Sequence, residues 1–316
     1  MTINPLPQTA LIDQFSYLSE YQTAYLTDKA PGTVEVYLRL IKQFISWLAT
    51  RVGNDPSFQP EQFTKTALQS YLAHLEKEGY SLAYRQLVKS ATSSFATFLI
   101  EDKALLGRNP TRGVAVGIQP LLAPRELSAD QRYILRNVVE RSQDLRSQAL
   151  FALGYWAGCR VSDVSWLLLE NSHLSAKSGW LTIGHKGGKR RELDLINQVR
   201  KPLWDYQQSY QRDADSPYFF TSQRSQRFSE AGIHHWFRQL KAQAKQTEWP
   251  HIQEICFHDL RHDWAHRARA AGWSLEEIAY YLGHVTNKGQ PAIATTARYT
   301  QASREQIRTK LKLLGD

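Results

Sequence analysis

The chain has 316 residues, 42% hydrophobic and 22% charged, with 39 Lys and Arg against 30 Asp and Glu for a formal net charge of +9. That length exceeds what one core needs and predicts two domains of an ordinary globular protein. Two isolated cysteines, Cys159 and Cys256, argue against a disulfide framework or a zinc site. The lack of a long apolar run and of a secretory pattern in Met1 to Ala10 argues against a membrane span and predicts a cytoplasmic protein.

Leu11 to Tyr25 predicts a first helix. After the breaker pair Pro31-Gly32, the apolar residues Val34, Tyr37, Leu38, Ile41, Phe44, Ile45 and Leu48 recur at helical spacing and predict a long amphipathic helix. A further helix carries Leu68, Tyr71, Leu72 and Leu75 and stops at Gly79; another carries Leu87, Ala91, Phe95, Phe98 and Leu99. These segments make an all-helical domain over residues 1–115. Its Lys42, Arg85 and Lys89 are candidates to face phosphates, although a solvated surface explains isolated charges as well.

Gly107 to Pro124 holds Asn109-Pro110, Gly113, Gly117, Pro120 and Pro124 with few periodic apolar positions, which places the linker at residues 116–126. The second domain spans 127–316. Ser128-Ala-Asp-Gln131 reads as a capping box opening its first helix, and apolar helical segments follow over Ser147 to Trp156 and Ser162 to Leu169. Trp180 to Ile183 and Glu192 to Leu195 have strand character and flank the basic, glycine-containing run Gly184-His-Lys-Gly-Gly-Lys-Arg-Arg191, so this region reads as a β-hairpin. The remainder is helical, with capping boxes at Ser274 to Glu277 and Ser303 to Gln306. The predicted fold class is therefore mainly α with a small β-sheet or hairpin.

The basic surplus is uneven. Lys and Arg number 11 against 10 Asp and Glu up to residue 122, and 28 against 20 beyond it. Such a surplus favours a polyanionic partner. Without a basic amphipathic helix or a lipidation signal to favour a membrane surface, nucleic acid is the better choice.

The most informative stretch is Phe257-His-Asp-Leu-Arg-His262, followed by Ala271 through Leu282-Gly-His284 and then Thr295-Thr-Ala-Arg-Tyr-Thr300. His258 and Arg261, three apart, share one face of a helical turn and can reach one phosphate. A guanidinium suits this task because its planar fork binds phosphate oxygens in pairs and stays charged. Arg, His and Tyr together, without a carboxylate cage, suit metal-free attack on a phosphodiester, and neither a cofactor nor a metal is implied. Any one of them alone reads more simply as a surface arginine or a satisfied core histidine.

Together, His258-x-Leu-Arg-His262, Leu-Gly-His284 and Arg-Tyr299 resemble the second half of the tyrosine recombinase (phage integrase) signature. Upstream, Gly158-Cys-Arg-Val-Ser-Asp-Val164 is similar to that family's Gly-x-Arg-x-Ser-Glu motif, and Gly184-His-Lys-Gly-Gly-Lys189 to its Gly-Lys-Gly-x-Lys turn. The resemblance covers the whole chain. It implies a helical core-binding (SAM-like) domain followed by a tyrosine-recombinase catalytic domain, with an active site of Arg160, Lys186, His258, Arg261, His284 and Tyr299.

The implied chemistry is metal- and ATP-independent. Tyr299 attacks a DNA phosphate to leave a 3′-phosphotyrosine link and a free 5′-hydroxyl. Arg160 and Arg261 clamp the non-bridging oxygens, and Lys186 protonates the leaving 5′-oxygen. His258 assists proton transfer at the tyrosine hydroxyl, and His284 hydrogen-bonds a phosphate oxygen. Asp163 either orients Arg160 or is a plain helix-surface acid. The implied partner is double-stranded DNA with an inverted-repeat core site, bound by a homotetramer through a Holliday junction, with accessory proteins compatible with it. Ile307, Leu311 and Leu314 form an apolar stripe on a C-terminal helix that docks either on a neighbouring subunit or on its own domain.

One departure stands out. In the family the last His and the Tyr usually stand closer together than 284 and 299, and the extra residues, Val285 to Pro291, read as an enlarged polar loop. Tyr280 and Tyr281 precede His284 and lack the Arg-Tyr-Thr context. A type IB topoisomerase uses similar chemistry on one duplex, but the compact helical N-terminal domain and the short Leu-Gly-His to Tyr arrangement favour a recombinase, of Xer-like or transposon-resolution type. A DNA-binding module without catalysis is disfavoured because all six positions are filled.

Overall fold

In the first third of the chain the apolar periodicities become helices whose ends are set by caps. In the computed structural model, which describes residues 16–51, 53, 58–117, 126–184, 190–209, 216–222, 225–286 and 289–300, residue 298 through its backbone alone, these are α1 (Ser16–Glu20), α2 (Pro31–Ala49), α3 (Lys65–Lys77) and α4 (Leu82–Glu101). The expected first helix continues past α1 as a π-helical turn, Tyr21–Tyr25. Thr64 and Ser81 accept the backbone N–H groups of Ala67 and Tyr84, satisfying donors that the first turns of α3 and α4 leave free.

The apolar faces of these helices meet in a core built around Phe44, Phe63, Tyr71, Phe95 and Phe98. Buried Tyr21 gives its hydroxyl hydrogen to Ser94 Oγ at 2.7 Å. Arg85 and Lys89, candidates from the sequence to face phosphates or simply to be solvated, make contacts within the unit. Arg85 pairs with Glu76 at 2.8 Å, and Lys89 Nζ donates to the Val114 carbonyl at 2.6 Å. Lys42 is exposed.

The chain divides into two compact units, Met1–Leu121 and Leu122–Asp316. In the second, α5 (Ala129–Ser142) opens with the capping box of Ser128 and Gln131, and α6 (Leu145–Tyr155) follows. The helix expected over Ser162 to Leu169 is shorter: α7 spans Val161–Ser165 only. Its continuation is diverted because Leu169 N donates to Pro217 O at 2.9 Å and Phe219 N to Leu167 O at 2.7 Å, so tertiary pairing overrides the helical pattern.

The expected hairpin is part of a three-stranded antiparallel sheet of β1 (Ser172–Leu174), β2 (Gly179–Ile183) and β3 (Arg191–Asp194) in that order. β1, only three residues long, carries no alternation that marks it in the sequence. Leu181 and Leu193 face each other in register and are both buried, which fixes the pairing, because a slip by one residue turns them to solvent.

Helices α8 (Asn197–Ser209), α9 (Glu230–Lys241), α10 (Trp249–Ile252), α11 (Phe257–Ala270), α12 (Leu275–Leu282) and α13 (Ile293–Tyr299) complete the unit. Leu150, Leu203, Phe219, Phe237, Phe257 and Leu260 belong to its core. α11 also carries a buried charge cluster. The Asp263 carboxylate accepts from Arg132 Nε and Arg267 Nε, both at 2.8 Å, and from the Leu127 backbone at 3.2 Å, tying the start of the unit to the helix that bears His258 and Arg261. Among the described residues no helix is long and apolar enough to cross a membrane.

Candidate active site

The site is assembled around the C-terminal end of α12. Gly283 ends that helix at φ 64°, and a Cβ there would fall 2.7 Å from Arg191 Nη1, so both the backbone conformation and the close approach of a guanidinium require glycine. The last carbonyls of a helix lack intrahelical donors and form the negative end of its dipole. Three arginines use them. Arg191 Nε donates to Tyr281 O at 2.8 Å. Arg160 donates to Leu282 O and Gly283 O at 3.2 and 3.4 Å, and Arg261 Nη2 to Leu282 O at 2.7 Å.

Arg160 enters from the N-cap position of α7 and stays half-buried. Just before it, Gly158 takes φ 60° and turns its carbonyl to Arg261 Nη1 at 2.6 Å. Cys159 between them is fully buried, and its thiol is pushed up to about 12 by burial, so it packs and does not react. Asp163 orients no guanidinium of Arg160. Its carboxylate caps α7 by accepting the Arg160 backbone N–H at 3.1 Å and pairs with Arg191 at 3.3 Å.

Arg261, one turn into α11, has no exposed surface, and its Nε has no hydrogen-bond partner among the described residues. Burial, and the like charges of Arg160 and Arg191, draw its pKa down to about 9, which leaves it a cation at neutral pH. His284, 3% exposed, follows Gly283 directly. Its Nε2 lies 2.9 Å from Arg261 Nη2 and its Nδ1 3.0 Å from Thr296 Oγ1. Burial first, then the Arg261, Arg160 and Arg191 guanidiniums, pull its pKa down to about 3, so the ring is neutral.

Tyr299 is the last residue of α13. Its hydroxyl lies 3.3 Å from His258 Nε2, and its ring stacks on His262 at 4.2 Å and 22°. The His284 ring is 4.7 Å away and the Arg261 guanidinium carbon 5.9 Å from the tyrosine ring centre. The enlarged loop does not hold Tyr299 off. Val285 and Pro291 pair across it, Thr286 N donates to Gln290 O at 2.8 Å, and Ala292 N returns to His284 O at 2.7 Å, so α13 starts where α12 ended. Of the alternative tyrosines, Tyr281 lies flat on Trp264 at 4.3 Å, and Tyr280 is 76% exposed on the surface.

Of the residues singled out in the sequence, Arg160, His258, Arg261, His284 and Tyr299 converge here. Lys186 and the C-terminal stripe Ile307, Leu311 and Leu314 lie outside the described residues. Arg191, His262 and Thr296 stand beside these residues without a role in the sequence motifs. Arg191 was hidden in a basic run, and the signal for the other two was spacing: His262 follows Arg261 in the motif, and Thr296 lies one helical turn before Tyr299.

The guanidiniums of Arg160, Arg191 and Arg261 converge at the end of α12 with His258, His284 and Tyr299 beside them, a set of groups suited to an anion. The chain matches the phage integrase family over residues 125–306, and the N-terminal SAM-like domain of phage integrases over residues 18–103. The chain belongs to the phage integrase family. It is similar to the tyrosine recombinase XerC of Neisseria meningitidis serogroup C strain FAM18, 24% identical over 282 residues that cover 88% of each chain. It is also similar to the tyrosine recombinase XerA of Pyrococcus horikoshii, 26% identical over 297 residues covering 93% of this chain and 92% of the relative. Among solved structures, a lambda integrase tetramer bound to a Holliday junction superposes with a TM-score of 0.64 at 16% identity, covering 96% of this chain and 84% of that one, a likeness of fold. This chain is thus a Xer-like tyrosine recombinase with a mainly helical, two-part fold.

Proposed function

We propose that this recombinase cuts and rejoins double-stranded DNA at an inverted-repeat core site through a covalent 3′-phosphotyrosine on Tyr299. The observation that carries the reading is the placement of the Tyr299 hydroxyl 3.3 Å from His258 Nε2, beside the buried Arg261 and His284. In this scheme His258 takes the tyrosine proton as the oxygen attacks phosphorus. Arg160 and Arg261 exchange part of their hold on the Leu282, Gly283 and Gly158 carbonyls for the non-bridging oxygens. Because both guanidiniums are already held by backbone carbonyls, Arg261 in full burial, little reorganisation accompanies the charge that develops on phosphorus. His284 donates to a phosphate oxygen, and Lys186, in the sequence between β2 and β3, protonates the departing 5′-oxygen. The phosphodiester energy is kept in the tyrosine link, so rejoining needs no ATP.

The helical unit up to residue 121 serves as the core-binding domain and the remainder as the catalytic domain. Strand exchange runs through a Holliday junction within a homotetramer, with the stripe Ile307, Leu311 and Leu314 docking on the neighbouring subunit. The fold shared with the lambda integrase tetramer supports this assembly. The biological role that fits is resolution or integration of mobile elements or replicon dimers.

A nicked suicide DNA substrate tests the reading. Wild-type enzyme in EDTA accumulates a covalent protein–DNA adduct, and Tyr299→Phe accumulates none while still binding. An adduct formed by the Phe variant, or lost on chelation, overturns the assignment. For Lys186→Ala, a 5′-bridging phosphorothioate restores cleavage, because its leaving group needs no proton.

A further inference from the structure

We propose that Thr296 is a positioning residue that holds His284 in one tautomer in the free enzyme and supports the opposite tautomer when phosphate enters. The proposal rests on the reading of His284 as a phosphate-binding group. A guanidinium can only donate, so Arg261 Nη2 at 2.9 Å makes His284 Nε2 the acceptor. The ring hydrogen is then on Nδ1 and is donated to Thr296 Oγ1 at 3.0 Å, while the threonine hydroxyl hydrogen goes to Ala292 O at 3.3 Å. The row runs in one direction, Arg261 to His284 to Thr296 to Ala292. Thr296 is 0% exposed, so no solvent replaces its hydroxyl.

In this arrangement the Nε2 lone pair accepts from Arg261, so the ring has no hydrogen on Nε2 to offer a phosphate oxygen. To donate, the ring must give up the hydrogen on Nδ1 and take one up on Nε2, both exchanged with water that enters together with the phosphate, while the Arg261 N–H turns from Nε2 to the phosphate; the charge of the ring does not change. The bare Nδ1 then needs a donor. The Thr296 hydroxyl supplies it by rotating away from Ala292 O, an i−4 carbonyl within or beside its own helix whose bond to a threonine hydroxyl contributes little. A hydroxyl, being donor and acceptor, serves both tautomers. Neutrality of the ring is favoured by the burial and the guanidiniums that hold its pKa near about 3. Thr296 also lies one turn before Tyr299 on α13, so the device that sets the phosphate-binding histidine is part of the helix that presents the nucleophile.

The test uses the full chain with 15N-labelled histidine, the His284 signals being assigned by their loss in His284→Gln. Long-range proton–nitrogen spectra are expected to report the Nδ1–H form in the free enzyme and the Nε2–H form with saturating inorganic phosphate. Thr296→Val, nearly isosteric, is expected to slow single-turnover cleavage of the suicide substrate by about tenfold or more with DNA affinity unchanged, as is typical when a partner that orients a functional histidine is lost. Thr296→Ser is expected to restore most of the rate. The same tautomer in both states, a doubly protonated ring with phosphate, or a Val variant as fast as wild type overturns the role of Thr296. Adduct formation by Tyr299→Phe overturns instead the underlying reading of the site.

Discussion

Helices α2 and α11 both run through a core, yet they bury different things. The buried residues of α2 are Leu40, Ile41, Phe44, Ile45 and Leu48, all apolar. Those of α11 include Asp259, Arg261, Asp263 and His266 among Phe257, Leu260, Trp264, Ala265 and Ala268. Apolar burial stabilises in proportion to area removed from water. A buried charge is costly to desolvate and breaks even only with well-placed partners. The charges of α11 are therefore proposed to be of two kinds, Asp263 holding the helix in place and Arg261 kept for the reaction, and substitution separates them.

The largest effect on stability is expected at Asp263. Removing its carboxylate in Asp263→Ala leaves Arg132 and Arg267 without their shared acceptor and is expected to cost about 3–5 kcal/mol. That matches the roughly 3–5 kcal/mol expected for Phe44→Ala in α2, where the loss is apolar packing. Denaturant unfolding of both variants checks the pair; a cost below about 1 kcal/mol at Asp263, the level of an exposed ion pair, removes the anchoring role.

Arg261 is expected to behave differently. Its charged form is disfavoured by burial and by Arg160 and Arg191, while its loss leaves Gly158 O without its donor, so the two effects offset and Arg261→Met is expected to cost no more than about 1–2 kcal/mol. The same variant is expected to slow single-turnover cleavage about 10²–10³-fold, the loss of a preorganised donor. If Arg261→Met unfolds as readily as Asp263→Ala, Arg261 is part of the scaffold and the distinction between the two charges fails.

A smaller effect is expected from acid. Below its ordinary value of 6.5 the His284 ring takes up a proton in the unfolded chain but not in the folded one, where its pKa is about 3. Stability is therefore fully present above about pH 6.5 and falls as pH drops toward 3, by at most roughly 1.4 kcal/mol per pH unit for this group. His266, whose pKa is also lowered by burial, acts in the same direction. The unit up to residue 121 contains one of the ten histidines, His74, so the acid sensitivity is expected to belong to the catalytic unit. Urea unfolding of wild type and His284→Gln across this range measures the slope, and an unchanged slope in the variant refutes the assignment.

Much of this was legible in the sequence because it depends on neighbours along the chain. Helical periodicity marks α2, α3 and α4, and Ser128 and Ser274 mark the starts of α5 and α12 through contacts only three residues long. Spacing of three within one helix places His258 beside Arg261, and the resemblance to the tyrosine recombinase motifs named Arg160, His284 and Tyr299, which lie on or next to other elements.

What depends on partners far along the chain was decided only by the tertiary structure. Trp166 to Leu169 reads as helix but is drawn out by backbone bonds to Pro217 and Phe219. Asp163 reads from the sequence either as an orienting partner for Arg160 or as a plain helix-surface acid; instead Arg191, 28 residues on, takes its carboxylate because β3 brings that guanidinium to the end of α12. The loop between His284 and Tyr299 was legible as an insertion. That it closes on itself and starts α13 beside His284 follows from one backbone bond, Ala292 N to His284 O, which no local pattern encodes. Local spacing determines which groups can share a face of one element; which carbonyl a distant arginine finds is settled by packing, because an unpaired donor in a buried site is costly and takes the nearest acceptor the fold presents.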